Sequence, residues 1–308
     1  MHGISSPLAI LHLRKIALNF HADIIHTHLT RAAYIGHLTG RLSSIPVVSS
    51  VHVLHRNPAY RYLPNYDRSV VAVSEYLRMG LIANGVSPDR VQTVYNGTDF
   101  TDQMITPGGI SVHAELCVPG DAILVGLFGQ INAFKGSRVL VEAAEKTLKK
   151  YPNTYFVFVG SVNPHYQQEL YAIAEAGGYS ERLRFTGART DIQRLMGEMD
   201  IVTLPSKYEA CSMAIIEAMA VGKPVIATRA GGNPELVQHG ETGLLIDRNP
   251  EALADAIISM LADSASRSRM GEAGHQVARE RFSSAMMAKR MEELYLRIVS
   301  SPQSPVAV

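Results

Sequence analysis

Two doubly wound parallel α/β domains are the fold this sequence predicts, and three observations carry that prediction. Strand-like apolar runs alternate with helical patterns along almost the whole chain, the signature of parallel sheets crossed by helices. A length of 308 residues exceeds what a single hydrophobic core usually serves. Between residues 96 and 109 the alternation stops in a run rich in Gly, Thr and Asp, which reads as a linker.

The first series predicts strands at Asp23–His28, Pro46–His52, Ser69–Ser74 and Val91–Tyr95, with helices near Pro7–Asn19, Thr30–Ser43 and Glu75–Asn84. Past the linker, strands are expected at Ala122–Gly129, Thr154–Gly160, Arg182–Gly187, Asp200–Leu204 and Pro224–Thr228. Helices fall near Ser137–Lys149, Pro164–Ala176 and Ser212–Val221, and closing helices run from Pro250 onwards. Apolar residues at helical spacing in the last of these (Met286, Met287, Met291, Leu294, Leu296, Ile298) predict a packed face rather than a partner-binding one. The domains so drawn are residues 1–108, residues 109–282, and a closing helix and tail at 283–308. In doubly wound sheets, ligands bind at the carboxyl ends of the strands.

Composition excludes more than it assigns. With 46% hydrophobic and 19% charged residues the chain reads as globular, and a net charge of +1 gives no argument for nucleic acid. Cys117 and Cys211 are far apart in sequence and read as reduced thiols. No apolar run reaches the ~18 residues of a membrane span, and the opening residues carry no signal-peptide pattern, so the expected location is cytoplasmic. Residues 1–108 hold nine Lys/Arg against six Asp/Glu, a mildly basic balance that fits peripheral contact with an anionic membrane and equally fits a solvated basic face. Eight of the twelve histidines lie in the first 55 residues: His2, His12, His21, His26, His28, His37, His52 and His55. They lack an obvious carboxylate partner set, and no metal site is expected.

The most informative stretch is residues 208–228, YEACSMAIIEAMAVGKPVIAT. Glu209 falls in a polar loop after an apolar strand. Ser212 is placed to cap a helix from Met213 to Val221, and Glu217 lies one turn inside it. The first amides of such a helix are unpaired and carry the positive end of its dipole, which suits a diphosphate. A carboxylate on either side can then accept hydroxyls, at ~1.5–3 kcal/mol per charge-assisted bond. Alone, two glutamates describe a salt-bridged surface helix just as well.

The residues beyond that helix decide between the two readings. Glu209 and Glu217, then Ala218-Met219-Ala220, Gly222-Lys223-Pro224-Val225, Gly231-Gly232-Asn233-Pro234-Glu235 and Gly240-Glu241-Thr242-Gly243 stand in fixed order and spacing. This pattern resembles the E-x7-E signature of retaining glycosyltransferases of family 4, which have the GT-B fold. Val71-Ala72-Val73-Ser74-Glu75 and Tyr95-Asn96-Gly97-Thr98 look like that family's exit from its first domain, although Asn96-Gly97 taken singly is a turn.

The resemblance implies transfer of a sugar from a nucleotide diphosphate sugar to a glycan or lipid-linked acceptor, with retention of anomeric configuration, as in surface polysaccharide or lipopolysaccharide assembly. It needs no cofactor, and no D-x-D metal motif is present. His52, Lys135 and Glu209 are the implied catalytic residues. Gly129, Gln130, Lys135, Gly187 and Arg189, with the stretch Glu209, Ala210, Cys211, Ser212, Met213 and Glu217, are implied to bind the donor, Arg189 lying along the base, although a lone strand-end arginine reads equally as a surface charge. Gln130 stands where the family usually has arginine; it donates a hydrogen bond but cannot neutralise phosphate. Gly126 to Gly136 is neither G-x-G-x-x-G nor a Walker A loop, which argues against dinucleotide and P-loop readings.

Members of that family begin with strand–helix units that precede the stretch matching Asp23–His28. At ~30 residues per βαβ unit, on the order of 60 residues are expected to be missing from the first domain. The strand Asp23–His28 would then present an open edge. A donor-binding but inactive remnant or partner subunit is the alternative reading.

Overall fold

A computed structural model describes residues 6–53, 67–100 and 110–300. The described residues form two compact units, one comprising those up to Asn96 together with those from Ala285 onwards, the other Gly97–Ser284.

The first unit opens with α1 (Ser6–Asn19), β1 (Ile25–His28), α2 (Thr30–Ser43) and β2 (Val47–Val51). It continues through β3 (Asp67–Ala72), α3 (Glu75–Ala83) and β4 (Val91–Thr93). The four strands are parallel in the order β1-β2-β3-β4. β1 is therefore an edge strand among the described residues, and β2 is buried along its whole length. The predicted strand Ser69–Ser74 ends two residues early because Ser74 serves the next helix instead. Its hydroxyl accepts from the Leu77 amide at 3.2 Å and caps α3.

The second unit runs α4 (Val112–Glu115), β5 (Ile123–Phe128), α5 (Ser137–Lys150), β6 (Thr154–Val159), α6 (Pro164–Ala176) and β7 (Leu183–Gly187). It then runs α7 (Ile192–Gly197), β8 (Ile201–Leu204), α8 (Met213–Ala220), β9 (Val225–Thr228) and α9 (Asn233–Leu236). β10 (Gly243–Ile246), α10 (Pro250–Ala262) and α11 (Ser264–Arg281) follow, and α12 (Ser284–Ser300) is the last element of the described residues. Its six parallel strands lie in the order β10-β9-β8-β5-β6-β7. The chain thus winds outward from β5 in one direction and from β8 in the other, leaving a switch point between them. Fully buried Leu127, Leu140, Phe156, Phe158, Leu253 and Ile257 anchor its core, each worth about 1.5–3 kcal/mol relative to exposure.

Besides the short helices α4, α7 and α9, one strand and one border differ from the sequence reading. β10 is a strand beyond the five expected in this sheet, four residues long with alternate positions buried. The border between units lies at residues 96/97 rather than 108/109, because the chain is already tied into the second unit there. Thr98 exchanges amide bonds of 2.9 Å with Phe282 and Ser284. Gln193 donates to the Asp99 carbonyl at 3.0 Å, and Phe100 meets His275 edge-on. Gly97 serves this approach rather than a turn, since a Cβ there would sit 2.5 Å from the Ser283 carbonyl oxygen.

Residues of α12 from Ala285 onwards belong to the first unit, where Leu294 and Ile298 pack with Val48, Val71 and Val94. Leu296, expected on that face, is 61% exposed.

Candidate functional site

At the switch point, the loops that leave β5 and β8 are bound to one another. In the β5 loop, the Asn132 side chain accepts from the Lys135 amide at 3.0 Å, and the Ser137 hydroxyl donates to the Asn132 carbonyl at 2.9 Å. This turn fixes the backbone that carries Lys135. The β8 loop meets it through the Lys207 amide, which donates to the Phe134 carbonyl at 2.7 Å. Arg248 staples both, donating to Pro205 at 3.2 Å and to Ala133 at 2.8 Å. No sequence signal marks Arg248; Asn132, three residues before Lys135, is a pattern that capping rules could have flagged.

The two loops place Lys135 Nζ 2.7 Å from Glu209 Oε1. Glu209 is buried, at 7% exposure. Its backbone is gripped by the glycine turn that follows β9: Gly232 donates to the Glu209 carbonyl at 2.9 Å, and Gly231 has φ of 58°. A side chain at 231 would be strained by that φ, and its Cβ would lie 1.9 Å from the Glu209 oxygen.

Ala210 and Ser212 are buried, and Cys211 and Met213 half-buried, on the way into α8. The Ser212 hydroxyl accepts from the Ile215 amide at 3.4 Å, the cap the sequence predicts. One turn further in stands Glu217. It is half-buried, and its carboxyl has no hydrogen-bonding or ionic partner among the described residues; burial raises its pKa. An unpaired, desolvated acid beside a helix start is costly for the free protein, and two hydroxyl donors would relieve it.

Neighbouring strand ends shape the rest. Gly129 donates to the Val159 carbonyl and Gly160 to Gly187, each at 2.9 Å. Gly129 and Gly187 have φ of 119° and 71° and no atom within 4 Å of a Cβ position, so backbone faces open space at both. Gln130 is exposed.

Arg189, expected along a base, sits in a network of ion pairs. Its guanidinium is bonded to Glu115 at 2.6 Å and Asp191 at 2.8 Å, and Arg194 bonds the same two carboxylates at 2.5 and 2.8 Å. Hydrogen bonds from the arginines hold both acids well below the usual carboxylate range. The competing partners Glu115 and Arg194 come from α4 and α7, which the sequence reading did not contain.

His52 belongs to the first unit, immediately after β2. Its Nε2 is 2.9 Å from His28 Nδ1. His26 Nδ1 meets the Tyr295 hydroxyl at 2.5 Å and its Nε2 the Ser50 hydroxyl at 2.8 Å. Leu29, directly after His28, holds φ 73° and ψ 154°, a region that costs a non-glycine residue of order 1–3 kcal/mol and is concentrated at functional sites. Among the described residues no group of three His, Cys, Asp or Glu is arranged to hold a metal ion. His2 and His55 lie outside the described residues.

Paired parallel α/β units, with glycine-ended strands at a switch point and two acids beside a capped helix, define the class of GT-B glycosyltransferases. The crystal structure of Anabaena Alr3699/HepE in complex with UDP and glucose superposes with a TM-score of 0.83 at 25% identity, covering 94% of this chain and 81% of that one. A glycosyltransferase from Rickettsia africae shares the fold at a TM-score of 0.85 and 23% identity, covering 98% of this chain and 84% of its own.

The chain belongs to the family of glycosyl transferases group 1, whose profile matches residues 112–277, while that of Glycosyltransferase Family 4 matches residues 2–102. Similar proteins include the D-inositol 3-phosphate glycosyltransferases of Corynebacterium glutamicum, 30% identical over 89% of this chain and 72% of its own length, and of Corynebacterium efficiens, 31% identical over 89% and 70%.

Proposed function

We propose that this glycosyltransferase moves a sugar from a nucleotide diphosphate sugar, with retention of anomeric configuration, and that the β5/β8 switch point holds the donor. The observation that carries this reading is Glu217, a half-buried carboxyl without a partner among the described residues, one turn beyond the capped start of α8, the helix that the loop of Glu209, partner of Lys135, leads into. Glu217 accepts the ribose diol. The first amides of α8 receive the diphosphate, and Glu209 takes sugar hydroxyls. Lys135 turns from Glu209 to the phosphates, where its charge offsets the negative charge of the leaving group. Gln130 adds a donor, and Gly129 and Gly187 let the ligand approach the backbone; for His52, in the first unit, a sugar contact rests on the family resemblance alone. A uridine donor is supported by the Anabaena structure with UDP and glucose.

For the acceptor, a glycan or lipid-linked saccharide in surface polysaccharide or lipopolysaccharide assembly is the first reading, at the cytoplasmic face of a membrane. Among the described residues no helix is long and apolar enough to cross one. Peripheral contact is supported by α1 and α2: neither contains an acidic residue, and they expose Leu8, Leu11, Leu38 and Leu42 beside Arg14, Lys15, Arg31 and Arg41. A second reading, a small polyol phosphate acceptor, is favoured by the names of the Corynebacterium relatives.

Turnover assays with UDP-, GDP- and ADP-sugars against lipid-linked saccharides and inositol phosphate separate these readings. Donor binding without turnover of any acceptor would favour the inactive remnant. Glu217→Ala is expected to weaken donor binding by ~1.5–3 kcal/mol; unchanged affinity by calorimetry in a folded variant would remove the assigned role.

A further inference from the structure

Three imidazoles gather at the carboxyl end of the first sheet. His26 and His28 alternate with Thr27 along β1 and so share a face, their ring centroids 4.4 Å apart. His52 follows β2, and its ring stacks on His28 at 5.3 Å with 23° between planes. Charging these rings together is opposed by burial and by mutual repulsion, which lower the pKa of His26 to about 4 and that of His52 below its ordinary value. Among the described residues, His26 of β1 lies against His28 and is itself bonded to Tyr295 of α12, and no carboxylate is bonded to His28 or His52.

The 2.9 Å bond between His28 Nδ1 and His52 Nε2 holds one proton. With both rings neutral, one nitrogen donates and the other accepts, so the two tautomers are locked together. If His28 carries its proton on Nδ1, its Nε2 is a bare acceptor and His52 donates through Nδ1–H. If the bond is reversed, the outward roles exchange. In either state the pair presents one donor and one acceptor, the complement of an alcohol hydroxyl rather than of a phosphate. His26 has both nitrogens occupied, by Tyr295 and Ser50, and so serves as a fixed platform for the His28 ring.

We propose that His28 is a positioning residue for His52, and that the bonded pair acts as a coupled donor–acceptor unit that holds a hydroxyl of a sugar or polyol. The identity of the ligand rests on the proposed function; the tautomer coupling does not.

The test is nitrogen NMR on the full chain labelled with ¹⁵N-histidine, in which long-range proton–nitrogen correlations report which ring nitrogens are protonated. His28→Ala should free the His52 tautomer and move its titration midpoint toward the ordinary 6.5. His28→Asn, which keeps an amide near the Nδ1 position, should preserve the wild-type pattern. His28→Asp should pin the proton on His52 Nε2 and raise the midpoint by about one pH unit or more. A His52 tautomer and midpoint common to all four proteins would overturn the coupling.

UDP-glucose and myo-inositol then distinguish a donor sugar from an acceptor polyol, with inorganic phosphate as the contrasting probe. A shift of the His28 and His52 nitrogens with either hydroxyl source, and without protonation, supports the proposal. A response to phosphate alone, by protonation of the pair, or no response to either hydroxyl source, overturns the ligand assignment. In turnover, His28→Ala should lose about tenfold in kcat/KM, as for one hydrogen bond, and His28→Asn should recover most of it. If UDP-glucose binding is as strong in Glu217→Ala as in the parent while tautomer coupling persists, the donor reading fails and the pair stands.

Discussion

Glu217 is the residue whose state links structure to ligand binding most directly. Burial raises its pKa, so the folded chain holds a proton on it at pH values where an unfolded chain has released one. Ionisation of this group therefore opposes folding as pH rises through that window. Hydrogen bonds from a ribose diol favour the ionised form, so donor binding is expected to release a proton there; calorimetry in two buffers of different ionisation enthalpy would show it as a buffer-dependent heat. His26 has the opposite sign. Its folded pKa, about 4, lies below the unfolded 6.5, so the native state binds fewer protons and the first unit should lose stability as pH falls from 6.5 toward 4. Circular dichroism melts across that range would check it.

These two side chains also mark what the residues disclose in sequence. Glu217 was legible because its spacing from Ser212 is local. His28 as the partner of His52 was not, because the contact is made by register: His28 pairs with Ser50 across β1 and β2, two residues before His52. The ion pair of Arg189 with Glu115 was not legible for the same reason, the two being 74 positions apart.

Among elements, the turn after β9 bears most on the site. Gly231 combines a positive φ with a Cβ position occupied by the Glu209 carbonyl oxygen, so Gly231→Ala must shift either the turn or Glu209. A loss of about 1–3 kcal/mol of stability is expected from the backbone strain, together with weaker donor binding, read by chemical denaturation and calorimetry. Ten strands and the long helices follow from local patterns, with the exception of β10. The short helices α4, α7 and α9 escaped because four to six residues give too few turns for a 3.6-residue period to appear.

On the scale of the whole molecule, each unit has its own core, but only one has its own contiguous stretch of chain. The second unit is continuous from Gly97 to Ser284. The first needs residues from both ends, since Leu294 and Ile298 of α12 complete the apolar layer over Val48, Val71 and Val94. Removing residues 284–308 should therefore leave the second unit folded and the first aggregation-prone. Limited proteolysis that spares both units equally would contradict this. Doubly wound architecture was readable from the alternation of patterns, whereas the border at residue 96 depends on Thr98 bonding to Phe282 and Ser284, pairings that no local window contains.

The late arrival of α12 bears on how the polypeptide is made. During synthesis on the ribosome, β1 to β4 emerge early with a greasy surface for which the matching cover has not yet been translated. The central segment can settle as soon as it leaves the exit tunnel, so the half that begins first is finished last, and holdase chaperones have their longest opportunity on the nascent N-terminal strands.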